Sequence, residues 1–236
     1  GNLTVALGYF YGSKEGGACT YNIGGNLLHQ NGWFYATFRD SGDLPYNTYN
    51  IGGSFTRTGG SYYAVNRVDV GYPSFYLSGT GKNLGLGSVS NARHFIEVKT
   101  GAQYNLSNGV NFDPGMQFYV RGTLNAGTNK VTALGSGCTF RVHGLLQTAN
   151  TNGLSGSTVT TFSSNYDPAI SLWEGCTIEY NSAATQTVTP RSDYKNLTLS
   201  AAGTKTLLAG AAVAAHLSVG APLLIDIGVD LDLYGS

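Results

Sequence analysis

The residues of this chain best suited by type and spacing to meet another molecule are aromatic. Tyr9, Trp33 and Ser61 occupy one recurring place in the sequence, and Tyr11, Tyr35 and Tyr63 occupy the place two residues later. Flat rings held at regular intervals on a rigid face can stack on sugars or cover an apolar patch of a protein partner. The competing reading is that Tyr and Phe are favoured in strands and pack on one another with no ligand. Trp33, Tyr35, Tyr11 and Tyr63 are the candidate binding residues.

Residues that could carry catalysis are sparse. Glu15, Glu97, Glu174 and Glu179 are widely separated, and Asp40, Asp43 and Asp69 fall in expected loops. No pair has the placement that glycoside hydrolysis asks of an acid and a base. Asp226, Asp230 and Asp232 form the densest set. Asp230 and Asp232 would share one strand face and could hold Ca²⁺ weakly, against the simpler reading of exposed strand carboxylates. His29, His94, His143 and His216 stand singly, without HExxH or a nucleophile elbow, and read as turn or surface histidines. Cys19, Cys138 and Cys176 show no metal-ligand spacing and read as small buried apolar residues, with one disulfide as the alternative. Three Asn-x-Ser/Thr sequons, at Asn2, Asn105 and Asn196, are expected by chance in an Asn- and Thr-rich chain. No catalytic residue, metal ligand or cofactor is assigned.

The elements that would position the aromatics follow from internal repetition. Tyr21-Asn22-Ile23-Gly24-Gly25 recurs as Tyr49-Asn50-Ile51-Gly52-Gly53, a shift of 28 (49 − 21), and Pro45 and Pro73 have the same spacing. Phe75-Tyr76-Leu77-Ser78-Gly79 is a third copy. Phe118 to Leu124 matches Phe140 to Leu146 at a shift of 22 (140 − 118), and Asn196 to Ser200 matches His216 to Gly220 at 20 (216 − 196). A fixed period in this range marks a stacked repeat. Within each motif apolar and polar residues alternate, the two-residue period of a strand buried on one face. The Ala-rich stretch from Leu207 to Ala215 reads as strand, turn, strand.

These patterns predict an all-β, right-handed parallel β-helix with coils of about 20–28 residues. Residues 1–80 hold long coils, 81–175 intermediate coils and loops, and 176–236 short coils, so the cross-section should narrow toward the C-terminus. Leu3/Leu27/Phe55, Ile23/Ile51/Leu77 and Phe10/Phe34/Tyr62 should be inward stacks, and Asn22/Asn50 an amide ladder. Both chain ends read as strands in mid-pattern, so further coils are expected beyond each.

Charged residues make up only 11% of the 236 residues and Gly numbers 34, so solubility rests on neutral polar side chains. The 13 basic and 13 acidic residues cancel without a basic run, which leaves nucleic-acid binding no electrostatic footing. No window approaches the roughly 20 apolar residues of a membrane helix, so membrane insertion is not expected.

Ile178-Glu179-Tyr180-Asn181 through Gln186-Thr187-Val188-Thr189-Pro190, then Tyr194 to Ser200 and Gly203 to Leu207, resemble repeats of very large Bacteroidota surface proteins. Those are adhesin-like β-solenoids exported by the type IX secretion system. Phe118 to Asn129 is similar to the coils that precede such repeats, whereas Ala211 to Ala215 departs from the pattern. The resemblance implies an extracellular or cell-surface location and transfers no catalytic residue. The function expected is a non-catalytic structural or adhesive segment, its partners a surface glycan or protein and further coils of the same chain. The alternatives are a polysaccharide lyase or hydrolase on a β-helix, and a carbohydrate-binding module without turnover.

Overall fold

The computed structural model describes residues 1–12, 17–38, 46–65, 72–88, 94–164 and 169–234. Glu15, Asp40, Asp43, Pro45, Asp69 and Gly235 lie outside the described residues. Every strand pairing among those described is parallel and joins a strand to one in a neighbouring coil, except that Ser155–Ser157 pairs with Phe162–Ser164 nearby in sequence. The fold is the parallel β-helix that the repeats predict.

Three faces run along the stack. The first is an eleven-stranded sheet beginning at Leu3–Val5, and the second a seven-stranded sheet from Thr20–Ile23 to Ala169–Leu172. The third face is broken into patches of three, five and three strands. Alternation builds each face. In Thr48–Ile51, Tyr49 and Ile51 point inward while Thr48 and Asn50 point out, and the same pattern holds in Phe95–Val98 and Thr139–Val142.

The inward columns stand as the alternation predicts: Leu3↔Leu27↔Phe55, Ile23↔Ile51↔Leu77 and Phe10↔Phe34↔Tyr62 are in register. A further aromatic column, Tyr21, Tyr49 and Phe75, stacks with centroids 4.8 Å apart at both steps. Outside, Asn50 Nδ2 donates to Asn22 Oδ1 at 2.8 Å, the expected ladder, and Asn125 Nδ2 reaches Asn105 Oδ1 at 3.3 Å. Where the first sheet turns toward the third face, Gly8, Gly32 and Gly60 take φ of +80, +79 and +71°. A Cβ at Gly32 would strike the Gly8 carbonyl oxygen, so the turn column admits little but glycine.

Registers give the coil lengths. The first three take 24, 28 and 29 residues (27 − 3, 55 − 27, 84 − 55), and the next three 22, 20 and 22 (106 − 84, 125 − 105, 146 − 124). The seventh takes 32 (178 − 146), then 19 and 20 follow (197 − 178, 217 − 197). The stack therefore does not narrow steadily. The seventh coil carries an extra strand, Ser155–Ser157, which adds beyond Phe162–Ser164 on the third face. The last coils are short because Tyr194–Leu199 and Ala211–Val219 run through the corner between two faces without a turn, with a register break at Tyr194/Asn196. Ala211 to Val213 are buried and Ala214 to His216 exposed, so the small residues sit where that corner bends.

Polar side chains fill the interior at this change of coil length. Gln186 Nε2 donates to the Thr148 and Asn150 carbonyls at 2.9 and 3.0 Å, and the buried Lys205 ammonium donates to the Ser182 and Gly203 carbonyls at 2.6 and 3.1 Å. Tyr180 and Tyr194 share a hydroxyl–hydroxyl bond of 2.7 Å. Gln186, Lys205, Tyr180 and Tyr194 thus each have a partner, which is what lets a polar seam sit in an apolar stack.

The three cysteines are free. Cys138 and Cys176 are buried, whereas Cys19 is only half-buried, and burial pushes the Cys176 thiol up to about 11, away from reactivity. The reading of the histidines needs correction. His29 and His94 lie in the interior, and only His216 is exposed. His29 shares the parity of Leu27 and stands in register with Val5 and Arg57 on the inward side. Burial holds its pKa below the usual histidine value; the Gly32 backbone opposes this, the Arg57 cation adds to the lowering, and Asn31 opposes it least.

Candidate functional site

The strands Tyr9–Tyr11, Trp33–Thr37 and Ser61–Val65 form one three-stranded patch of the third face, in register Tyr9↔Trp33↔Ser61 and Tyr11↔Tyr35↔Tyr63. Because Phe10, Phe34 and Tyr62 point inward, alternation sends their neighbours out. All four candidate residues, with Tyr9, meet in one cluster of nearly parallel rings. Tyr35 lies between Tyr11 at 5.4 Å and Tyr63 at 5.1 Å, and Trp33 stacks on Tyr9 at 6.0 Å, Tyr35 at 6.1 Å and Tyr63 at 5.5 Å. Phe38 closes one side, its ring tilted against Tyr11 at 4.4 Å.

This spacing decides how the cluster can bind. Rings stacked on both sides have no free face, so Tyr35 cannot receive a sugar in the sandwich that stacking requires. What reaches solvent is the row of ring edges and hydroxyls, most of all at Tyr9, 63% exposed, and Trp33, 37% exposed, whose rings lie against each other. The Tyr35 phenol is held above its ordinary pKa by partial burial and by the neighbouring phenols of Tyr63, Tyr11 and Tyr9, so it stays a neutral donor.

A second collection, which the repeats alone do not single out, covers the outer side of the seven-stranded sheet. One outward column runs Tyr76↔Glu97↔Tyr119↔Arg141↔Ser171. The strand-end residues Lys99, Arg121, His143 and Trp173 form the next, each N–H bonded to the preceding coil. Lys99 Nζ stands 5.1 Å over Tyr76, and Arg141 lies over both Tyr119 at 4.9 Å and Trp173 at 5.8 Å. The His143 ring stacks on Trp173 at 4.8 Å, and its pKa is lowered by burial and by the Arg121 and Arg141 charges. A groove of about 700 Å³ opens beside this face, lined in part by Tyr46, Tyr72, Tyr76, Phe95 and Gln117.

The described carboxylates are engaged separately. Glu179 accepts from Gln147 Nε2 at 2.8 Å and Ser200 Oγ at 2.6 Å, and Asp193 holds Arg191 at 2.8 Å. Asp226, Asp230 and Asp232 are exposed; Asp226 accepts from the Ile227 N–H, and Asp232 faces the Tyr234 hydroxyl at 3.5 Å. Among the described residues no three His, Cys, Asp or Glu side chains come together as a metal site.

Comparison with protein families, curated proteins and solved structures finds no match in any of the three.

Proposed function

We propose that this chain is a non-catalytic adhesive segment of a cell-surface or secreted β-solenoid, which acts by holding side chains in fixed order on a rigid stack. The observation that carries the reading is the outward aromatic cluster of Tyr9, Tyr11, Trp33, Tyr35 and Tyr63 on three consecutive coils. A backbone ladder fixes those rings before any partner arrives, so contact with a glycan or protein surface loses little side-chain entropy. Since their faces cover one another, the contact is made by edges and hydroxyls.

The far end of the stack supports a place within a longer solenoid. Val219, Ile225 and Leu233 occupy inward positions, in register with Leu199, Leu207 and Val213, yet are 48, 39 and 58% exposed. An apolar layer of this kind is buried by another coil.

The test is binding of the purified 236-residue chain to a glycan array and to immobilised surface extracts, with Trp33→Ala and Tyr35→Ala in parallel. The expected result is binding that both variants weaken about ten-fold, a loss of about 1.4 kcal/mol. Undiminished binding by both variants would remove the contact from this face. Cleavage of any polysaccharide offered would replace the adhesive reading with the enzymatic one.

A further inference from the structure

We propose that the outer side of the seven-stranded sheet binds an acidic polysaccharide, with Arg121 and Arg141 taking sugar carboxylates and Trp173 and Tyr76 taking sugar rings. This site lies on a different face from the aromatic cluster and goes beyond the adhesive reading by naming a ligand class.

The chain is electrically neutral as a whole, yet three of its 13 basic residues, Lys99, Arg121 and Arg141, stand on one face in three successive coils. The acid that meets them is Glu97, 3.5 Å from Arg121 Nε. Glu174, beside Trp173, is directed to Lys195 at 3.9 Å. The Arg121 side chain is 42% exposed and meets Glu97 at Nε, so part of its guanidinium reaches solvent. Arg141 makes no hydrogen bond or ion pair among the described residues. Its Cζ stands over the Tyr119 and Trp173 rings, at 4.9 and 5.8 Å, in an outward column, which limits the directions open to its N–H fork. A carboxylate matches that fork with two parallel bonds.

The rings supply the rest of the recognition. Trp173 is 46% exposed at the end of the column, and Tyr76 both lies under Lys99 and lines the neighbouring groove. Coils repeat about every 4.8 Å, so a sugar chain along the stack axis meets a cation or a ring at every step. Burial, and after it the Arg121 and Arg141 charges, lower the His143 pKa, so this imidazole adds no positive charge of its own. An acidic glycan fits better than a nucleic acid. Three cations accompanied by Glu97 on a neutral protein release few counterions, and affinity for polyphosphate depends on that release.

The experiment measures binding of the full chain to polygalacturonate and to its methyl-esterified form, which has the same backbone with the carboxylates masked. Arg141→Gln, Arg121→Gln and Arg141→Lys are compared, with circular dichroism confirming that each is folded. Expected are at least about ten-fold tighter binding to the free acid, weakening with salt, and about ten-fold loss in each Arg→Gln variant. Arg141→Lys keeps the charge but not the fork, and should fall between. Lys82→Gln, which removes a cation from the eleven-stranded sheet, should leave this binding unchanged, which separates the site from charge elsewhere on the stack. Equal affinity for the esterified polymer, full binding by both Arg→Gln variants, or preference for a single-stranded oligonucleotide would each overturn the proposal. Cleavage of the polygalacturonate that also depends on Arg141 would uphold the site and overturn the non-catalytic reading.

Discussion

Raising the pH from about 10 to about 12 should unfold this protein, because its buried tyrosines can ionise only by unfolding. Tyr49, Tyr62, Tyr104, Tyr180 and Tyr194 are buried, and desolvation raises the pKa of each. Tyr180 and Tyr194 also share a hydrogen bond that two phenolates could not make. Above the ordinary tyrosine value of about 10 the unfolded chain loses protons that the folded chain keeps, so stability falls as pH rises. The contribution is complete below about pH 10 and is lost as the pH climbs toward the raised folded values. Each group contributes at most about 1.4 kcal/mol per pH unit while it stays protonated in the fold, against a typical domain stability of about 5–15 kcal/mol. Lys205, whose pKa burial lowers, works in the opposite direction, but its gain is complete by about pH 10.4. Phenolate absorbance and far-ultraviolet circular dichroism, followed together against pH, should show these five tyrosines ionising as secondary structure disappears. Ionisation of all the tyrosines near pH 10 with the spectrum of the folded protein intact would refute the burial of these side chains.

Phe34→Ala should cost about 3–5 kcal/mol, the range for emptying an aromatic site in a core. Phe34 is fully buried and touches Phe10 at 5.0 Å, Tyr62 at 5.2 Å, His29 at 5.9 Å and Tyr49 at 6.2 Å. The neighbouring Trp33→Ala removes a larger side chain from the opposite side of the same strand and should cost only about 1 kcal/mol, the worth of its ring contacts. Stability in a stack is a sum of coil and interface terms, so the loss should be local. The two tryptophans allow this to be seen: Trp33 reports on the second coil and Trp173 on the seventh. In urea, Phe34→Ala should lower the midpoint read by Trp33 more than that read by Trp173. Equal costs for Phe34→Ala and Trp33→Ala would mean that the inward and outward columns had been interchanged.

The YNIGG coils were legible because stacking places like on like: Tyr21 on Tyr49, Asn22 on Asn50 and Ile23 on Ile51 leave near-identical strings at a fixed interval. The outward ring cluster followed from the same alignment by parity alone. The cation-bearing face left no such trace, because Lys99, Arg121, His143 and Trp173 succeed one another at one place with no shared residue type. Their community is spatial and chemical. The buried position of His29 was available in principle, since it follows Leu27 by two residues, but a polar residue in an inward column reads as a surface one when only hydrophobicity is followed. The Ser155–Ser157 strand carries Gly and Ser and gives no strand signal, so the lengthening of the seventh coil could come only from the register.

The parallel ladder also settles how this molecule would respond to force. Its interstrand hydrogen bonds lie along the stack, so a pull on the two ends loads the outermost ladder bonds one row at a time rather than all together in shear. The stack should then lengthen in discrete events, each freeing one coil. Coils of 19 and 20 residues at one end and 28 and 29 near the other correspond to steps of roughly 65 and 95 Å of extended chain. Single-molecule stretching should record two populations of step length, and a single all-or-none rupture would contradict the coil-by-coil order. A protein built this way would yield under tension by paying out slack one coil at a time, while the coils not yet loaded stay folded.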